Sequence, residues 1–116
     1  MQVKKVRDQS FRKARAAGVK MAFGVDAIWG VQDNPKEFAA LVGLGVSEME
    51  AIQMATSNAA AMLELDDELG SVEPGKRADI VAVAGNPLND ISEMERVKFV
   101  MKDGSVYRND LENEPE

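Results

Sequence analysis

The chain has 116 residues, 45% of them apolar and 29% charged, which is the balance of a globular domain with a core of ordinary size rather than of a disordered chain. A formal net charge of −6 argues against a nucleic-acid face, because phosphate binding needs clustered Lys and Arg without compensating carboxylates. No apolar run approaches the ~20 residues of a membrane span, and no apolar stretch follows the basic N-terminus, so neither membrane nor nucleic acid is expected as a partner.

Cysteine is absent, which removes disulfides and thiolate metal sites and fits a reducing, cytoplasmic setting. Histidine is absent too. The commonest metal ligand and the commonest general base are therefore both missing.

In chain order, Val3, Val6, Phe11, Ala14 and Ala17 recur at roughly helical spacing among Lys and Arg, and Gly18 supplies a stop. The basic cluster from 4 to 15 reads as the solvated face of that helix. Residues 19–23 read as a short strand, and 24–33 as a loop carrying the only tryptophan, Trp29, flanked by Ile28 and Val31. Asn34, Pro35 and Glu37 match an N-cap, first helical residue and reciprocal acid, which predicts a helix from Pro35 to about Leu44, ended by Gly45. Ser47 and Glu50 form a second capping box for a helix through Ala55, and Thr56 or Ser57 caps a third through about Leu65. Met49, Ile52, Met54, Met62, Leu63 and Leu65 are expected to fill the core.

From Gly70 to Pro87 the signals are strongest. Pro74 presets its φ for a turn and Gly75 can take the positive φ that a type II turn demands. Residues 79–83 then form a short Ile/Val-rich run, bounded by Gly85 and Pro87, that reads as a strand buried on both faces or nearly so. Residues 91–95 allow a single helical turn. Residues 97–102 and 105–108 predict two strands joined through Asp103-Gly104, with Val97, Phe99 and Met101 on one face. Residues 109–116, rich in carboxylates, read as a disordered tail.

The segment Gly70-Ser71-Val72-Glu73-Pro74-Gly75-Lys76-Arg77-Ala78-Asp79 resembles the C-terminal end of the metal-dependent amidohydrolases, in the branch of imidazolonepropionase-like and Xaa-Pro dipeptidase-like enzymes. The likeness continues through Gly24-Val25-Asp26-Ala27, Asp33-Asn34-Pro35-Lys36-Glu37-Phe38, Met49-Glu50-Ala51-Ile52, Ala55-Thr56-Ser57-Asn58-Ala59-Ala60 and Val97-Lys98-Phe99-Val100-Met101-Lys102-Asp103-Gly104. It covers nearly the whole chain but only the last quarter to third of such an enzyme, since a TIM barrel alone takes ~250 residues.

The resemblance implies an α/β partial fold: the last helix-strand-helix unit of the barrel in 1–69, strands of a small C-terminal β-sandwich in 70–108, and the acidic tail in 109–116. It also implies hydrolysis of carbon–nitrogen bonds in a small amide, cyclic amide or dipeptide, with zinc or another divalent metal in the parent enzyme. Asp26 matches the aspartate that ends the eighth barrel strand, touches the metal and takes the proton of the metal-bound water. Val25 departs from the threonine usual beside it, and the loop before Asp33 lacks the histidine that many relatives carry.

The family draws its histidines from earlier barrel strands, so this chain alone is expected to bind no metal and to be inactive. A catalytic zinc takes three protein ligands and an open position. The acidic run Asp66-Asp67-Glu68 lacks the spacing of a calcium loop, the paired glycines form no phosphate fingerprint, and Ser57 has no histidine to activate it. The rival reading is a non-catalytic α/β module that binds itself or a protein partner. In either case open strand edges predict self-association, most simply a symmetric or domain-swapped dimer.

Overall fold

A computed structural model describes residues 2–26 and 30–111. Ile28 and Trp29 of the predicted loop, and positions 112–116 of the predicted tail, lie outside the described residues. The elements are α1 (Gln2–Ala16), a 3-10 turn (Val31–Asp33), α2 (Lys36–Gly43), α3 (Glu48–Ala55), α4 (Ser57–Met62), β1 (Ile80–Val83), a second 3-10 turn (Ile91–Glu95), β2 (Val97–Lys102) and β3 (Ser105–Asn109). Helices thus precede strands, with the change near Gly70. Among the described residues no helix is long and apolar enough to cross a membrane.

The core is small and helical. Phe38 and Leu41 from α2, Val46, and Ala51 and Met54 from α3 are buried together. Phe11, Met21, Phe23, Ile52, Ile91 and Met94 pack on them, so the turn at 91–95 joins the strand-rich half to the helices. Ser47 caps α3 as expected, its Oγ accepting from the Glu50 N–H at 3.3 Å. The reciprocal half of that box does not form, because Glu50 reaches instead to the Arg15 guanidinium (Oε1 at 3.0 Å and Oε2 at 2.6 Å) and fastens α1 to α3. That guanidinium holds the Glu50 carboxyl below the usual carboxylate range.

Several expectations are corrected. Asn34 does not cap α2: it has φ −54° and ψ −42°, already helical, because the 3-10 turn runs straight into the helix, and Pro35 takes the cap position with no side-chain bond. Thr56 does not cap α4; its hydroxyl donates back to Ile52 O at 2.8 Å. That helix ends at Met62, and Met62 and Leu63 are exposed, since the small core closes around α2 and α3 and leaves α4 at its margin; Met49 is exposed too, because α3 turns Ala51 and Met54 to the core instead.

Residues 19–23 form no regular secondary structure and are not a strand. A strand is defined by its partner, and here the segment is tied to helices: Phe23 N–H donates to Met54 O at 3.1 Å, and Met21 O accepts from Asn58 Nδ2 at 2.9 Å.

The sheet is antiparallel in the order β1-β2-β3. β1 starts at Ile80, not Asp79, and is not buried on both faces, for Val81 is 54% exposed. Ile80 and Ala82, which flank Val81, are half-buried, so only the face that bears them is packed. Val97 to Met101 are all half-buried rather than alternating, because the register shifts between Ala82 and Val83 and again between Val100 and Met101. Bulges of this kind rotate side chains off a strict alternation.

The hairpin and turn signals hold. Asp103 (φ 50°) and Gly104 (φ 79°) form the two-residue connection of β2 and β3, with both residues in the positive φ of a type I′ turn. Gly75 has φ 91°. Asp79 binds the two turns together: one carboxylate oxygen accepts from the Asp103 N–H at 2.8 Å and the other from Lys102 Nζ, while Gly104 N–H donates to Ala78 O at 3.1 Å. Lys102 first, and then the Asp103 amide, hold the Asp79 carboxyl below its ordinary value.

Candidate active site

The segment leading to Asp26 is positioned from below. Phe23 lies edge-on to Phe38, with ring centroids 5.0 Å apart and planes at 88°, an arrangement that adds to apolar burial. With the Met54 and Asn58 bonds to 21–23, this anchors the last half-buried residue of the segment on α2, α3 and α4. Gly24, Val25 and Asp26 then emerge into solvent. A cleft of about 610 Å³ lies beside the segment, lined among others by Arg7, Phe11, Met21, Phe23, Gly24 and Glu37.

Asp26 has no hydrogen-bond or ion-pair partner among the described residues. An exposed carboxylate at the end of a firmly anchored segment can accept a proton or contribute one metal bond. It cannot assemble a metal centre. Among the described residues no group of three or more His, Cys, Asp or Glu side chains is placed to hold a metal ion, so the residues present do not fit a catalytic metal by themselves.

The other motifs find structural roles. Glu68 of the acidic run pairs with Arg77 at 2.6 Å, and Asp66 and Asp67 are exposed in a turn. Ser57 opens α4. Ser71 accepts from Lys76 Nζ at 2.6 Å and donates to Glu73, with Lys76 also 3.0 Å from Glu73. The trio staples the turn at Pro74-Gly75.

Asn58 is the positioning residue that sequence reasoning missed. It stood within a quoted motif, and only its long-range bond to Met21 gives it a task.

Comparison with known proteins places this geometry. The model of the Amidohydrolase family matches residues 3–107. A crystal structure of a Xaa-Pro dipeptidase with methionine bound in its active site superposes with a TM-score of 0.84 at 48% identity, over 88% of this chain and 25% of that one. Adenine deaminase 4 of Rhizobium meliloti is 41% identical over 81 residues, 70% of this chain and 12% of the deaminase. Ochratoxinase of Aspergillus niger is 34% identical over 105 residues, 86% of this chain and 22% of that enzyme. The chain thus spans a quarter or less of the length of these relatives. With nearly all of its residues matched, it belongs to the amidohydrolase family.

Proposed function

We propose that this chain is the C-terminal portion of a metal-dependent amidohydrolase, with 1–69 forming the end of its barrel and the strands that follow Gly70 belonging to a small β-sandwich; the predicted tail at 109–116 begins later than expected, since Asn109 is still in β3 and Asp110 N–H donates to Lys98 O at 2.8 Å. The observation that carries the reading is the match over residues 3–107 to proteins of which this chain spans a quarter or less. A dipeptidase and a deaminase share the cleavage of a carbon–nitrogen bond, and hydrolysis of such a bond in a small amide, cyclic amide or dipeptide is the parent reaction on this reading.

Asp26 is then the catalytic carboxylate, a contact to the metal and the acceptor of a proton from the attacking water. Its exposure at the end of an anchored segment supports that role. Zinc or another divalent cation of the parent enzyme requires further ligands, which the described residues do not supply, so the chain alone is inactive.

Reading the coding sequence upstream of Met1 tests the proposal. An open frame encoding a His-x-His strand supports it, and a frame without metal-ligating histidines overturns it. One observation favours a second reading, a non-catalytic module that associates with itself: Val3, Val6, Val72, Val81 and Leu63 are all exposed.

A further inference from the structure

Two backbone groups of the segment that leads to Asp26 are satisfied from one place. Phe23 N–H donates to Met54 O at 3.1 Å, and Met21 O accepts from Asn58 Nδ2 at 2.9 Å, so the two partners lie on either side of the break between α3 and α4. The first bond is backbone to backbone and puts no demand on the side chain at 54. The second requires a side-chain N–H at 58, which Asn58 supplies across 37 positions of chain.

The donor stands on a fixed base. Thr56, between the two helices, turns its hydroxyl back to Ile52 O at 2.8 Å, which holds the break in place. The turn at Gly70 presses on the same end of α4: a Cβ at Gly70 would stand 3.1 Å from Ser57 Cα and 2.6 Å from the Cβ of the buried Ala60. An amide carried on so constrained a backbone holds its partner in position instead of following it. Asp26 comes three residues after Phe23, at most ~11 Å along the chain, so a shift at 21–23 is passed on to its carboxylate. Both bonds join residues well inside the matched span 3–107.

We infer that Asn58 is a positioning residue for the proposed hydrolysis, acting on Asp26 through the bond to Met21; the inference rests on the reading of Asp26 as the proton acceptor. An acceptor works only within hydrogen-bond reach of the proton it takes, and a misplacement of about 1 Å can cost ~10²-fold in rate.

The test uses a Xaa-Pro dipeptidase whose matching quarter is replaced by residues 3–107. Asn58→Asp keeps the size of the side chain and exchanges its donor for an acceptor, while Asn58→Ala removes the donor without adding repulsion. Each should lower kcat about 10–100-fold with KM changed less than about threefold. In an Asp26→Asn background the same substitutions should cost less than about threefold, because the carboxylate they position is already gone. An equal cost in both backgrounds would mark a general loss of structure and overturn the inference. Hydrogen exchange adds a readout that needs no turnover: in both variants the Phe23 amide should exchange about tenfold or more faster, while the amides of α2 keep their protection. Unchanged exchange at Phe23, or an unchanged kcat in a chimera that needs Asp26, would also overturn it. A chimera whose turnover ignores Asp26→Asn would overturn the reading of Asp26 and this inference with it, a failure told apart from that of Asn58 alone, in which Asp26→Asn still costs activity. With no turnover at all, exchange at Phe23 decides.

Discussion

Gly70 and Gly75 have the same φ, 91°, but different surroundings, and alanine at each position separates backbone strain from packing. A Cβ on Gly75 would meet nothing within 4 Å. On Gly70 it would stand 2.6 Å from the Cβ of Ala60, which is itself buried, and 3.1 Å from both Ser57 Cα and Thr56 O. Left-handed backbone costs an L-residue ~1–2 kcal/mol, partly offset by the ~0.4–1 kcal/mol that the substitution removes from unfolded-chain entropy. Gly75→Ala should therefore lose about 1 kcal/mol. Gly70→Ala adds the ~1–3 kcal/mol of an overpacked contact, for about 2–4 kcal/mol in all. At ~4–8 °C per kcal/mol for a chain of this size, far-UV circular dichroism melts should fall by about 4–8 °C for the first and at least twice that for the second, with urea midpoints in the same order. Equal losses, or a larger loss at Gly75, would refute the claim that the turn at Gly70 is seated directly on α4.

Gly75→Val should cost more than Gly75→Ala, since a β-branched side chain tolerates positive φ least; an unchanged melting temperature would contradict the turn. Phe38→Ala removes the ring that holds Phe23 and should lose about 3–5 kcal/mol, read as a urea midpoint lower than that of Gly75→Ala; a midpoint equal to that of the parent chain would contradict its place in the core. The native carboxyls of Asp79 and Glu50 titrate below their unfolded values, so their contribution is present above about pH 4–4.5 and is lost as the pH falls through the depressed native values. Asp79→Asn should lower stability at pH 7 and flatten the loss between pH 5 and 2 in urea titrations; a parallel curve would contradict the role given to Asp79. The purified chain should hold no stoichiometric zinc by metal analysis, and a tightly bound equivalent lost in Asp26→Asn would prove that wrong.

What was legible in the sequence was what local chemistry decides. Asp103-Gly104 and Pro74-Gly75 specify positive φ within two residues, and both turns form. Ser47 found the Glu50 amide because both lie in one helical turn. The misses are places where a distant partner decides. Glu50 has the same carboxylate to offer its own cap or Arg15, and the bidentate pairing with the guanidinium won. Residues 19–23 have the composition of a strand, but the described chain places helices beside them. Leu63 and Val81 look like core residues and stand at an open cleft, because burial is a property of neighbours rather than of a side chain. The same holds around the proposed site: Asp26 was singled out by its motif alone, while the bond from Asn58 that steadies its segment spans 37 positions and leaves no local signal.

On the proposed reading, this chain lends one carboxylate to an amidohydrolase centre whose metal ligands lie elsewhere in a longer polypeptide. The most direct test replaces the matching quarter of the Xaa-Pro dipeptidase, 48% identical to this chain, with residues 3–107 and measures metal content and dipeptide hydrolysis. A metal-loaded, active chimera is expected, in which Asp26→Asn lowers kcat about 10²–10⁴-fold with the fold retained by circular dichroism. A folded, active chimera that hydrolyses dipeptide equally well with Asn at position 26 would contradict it.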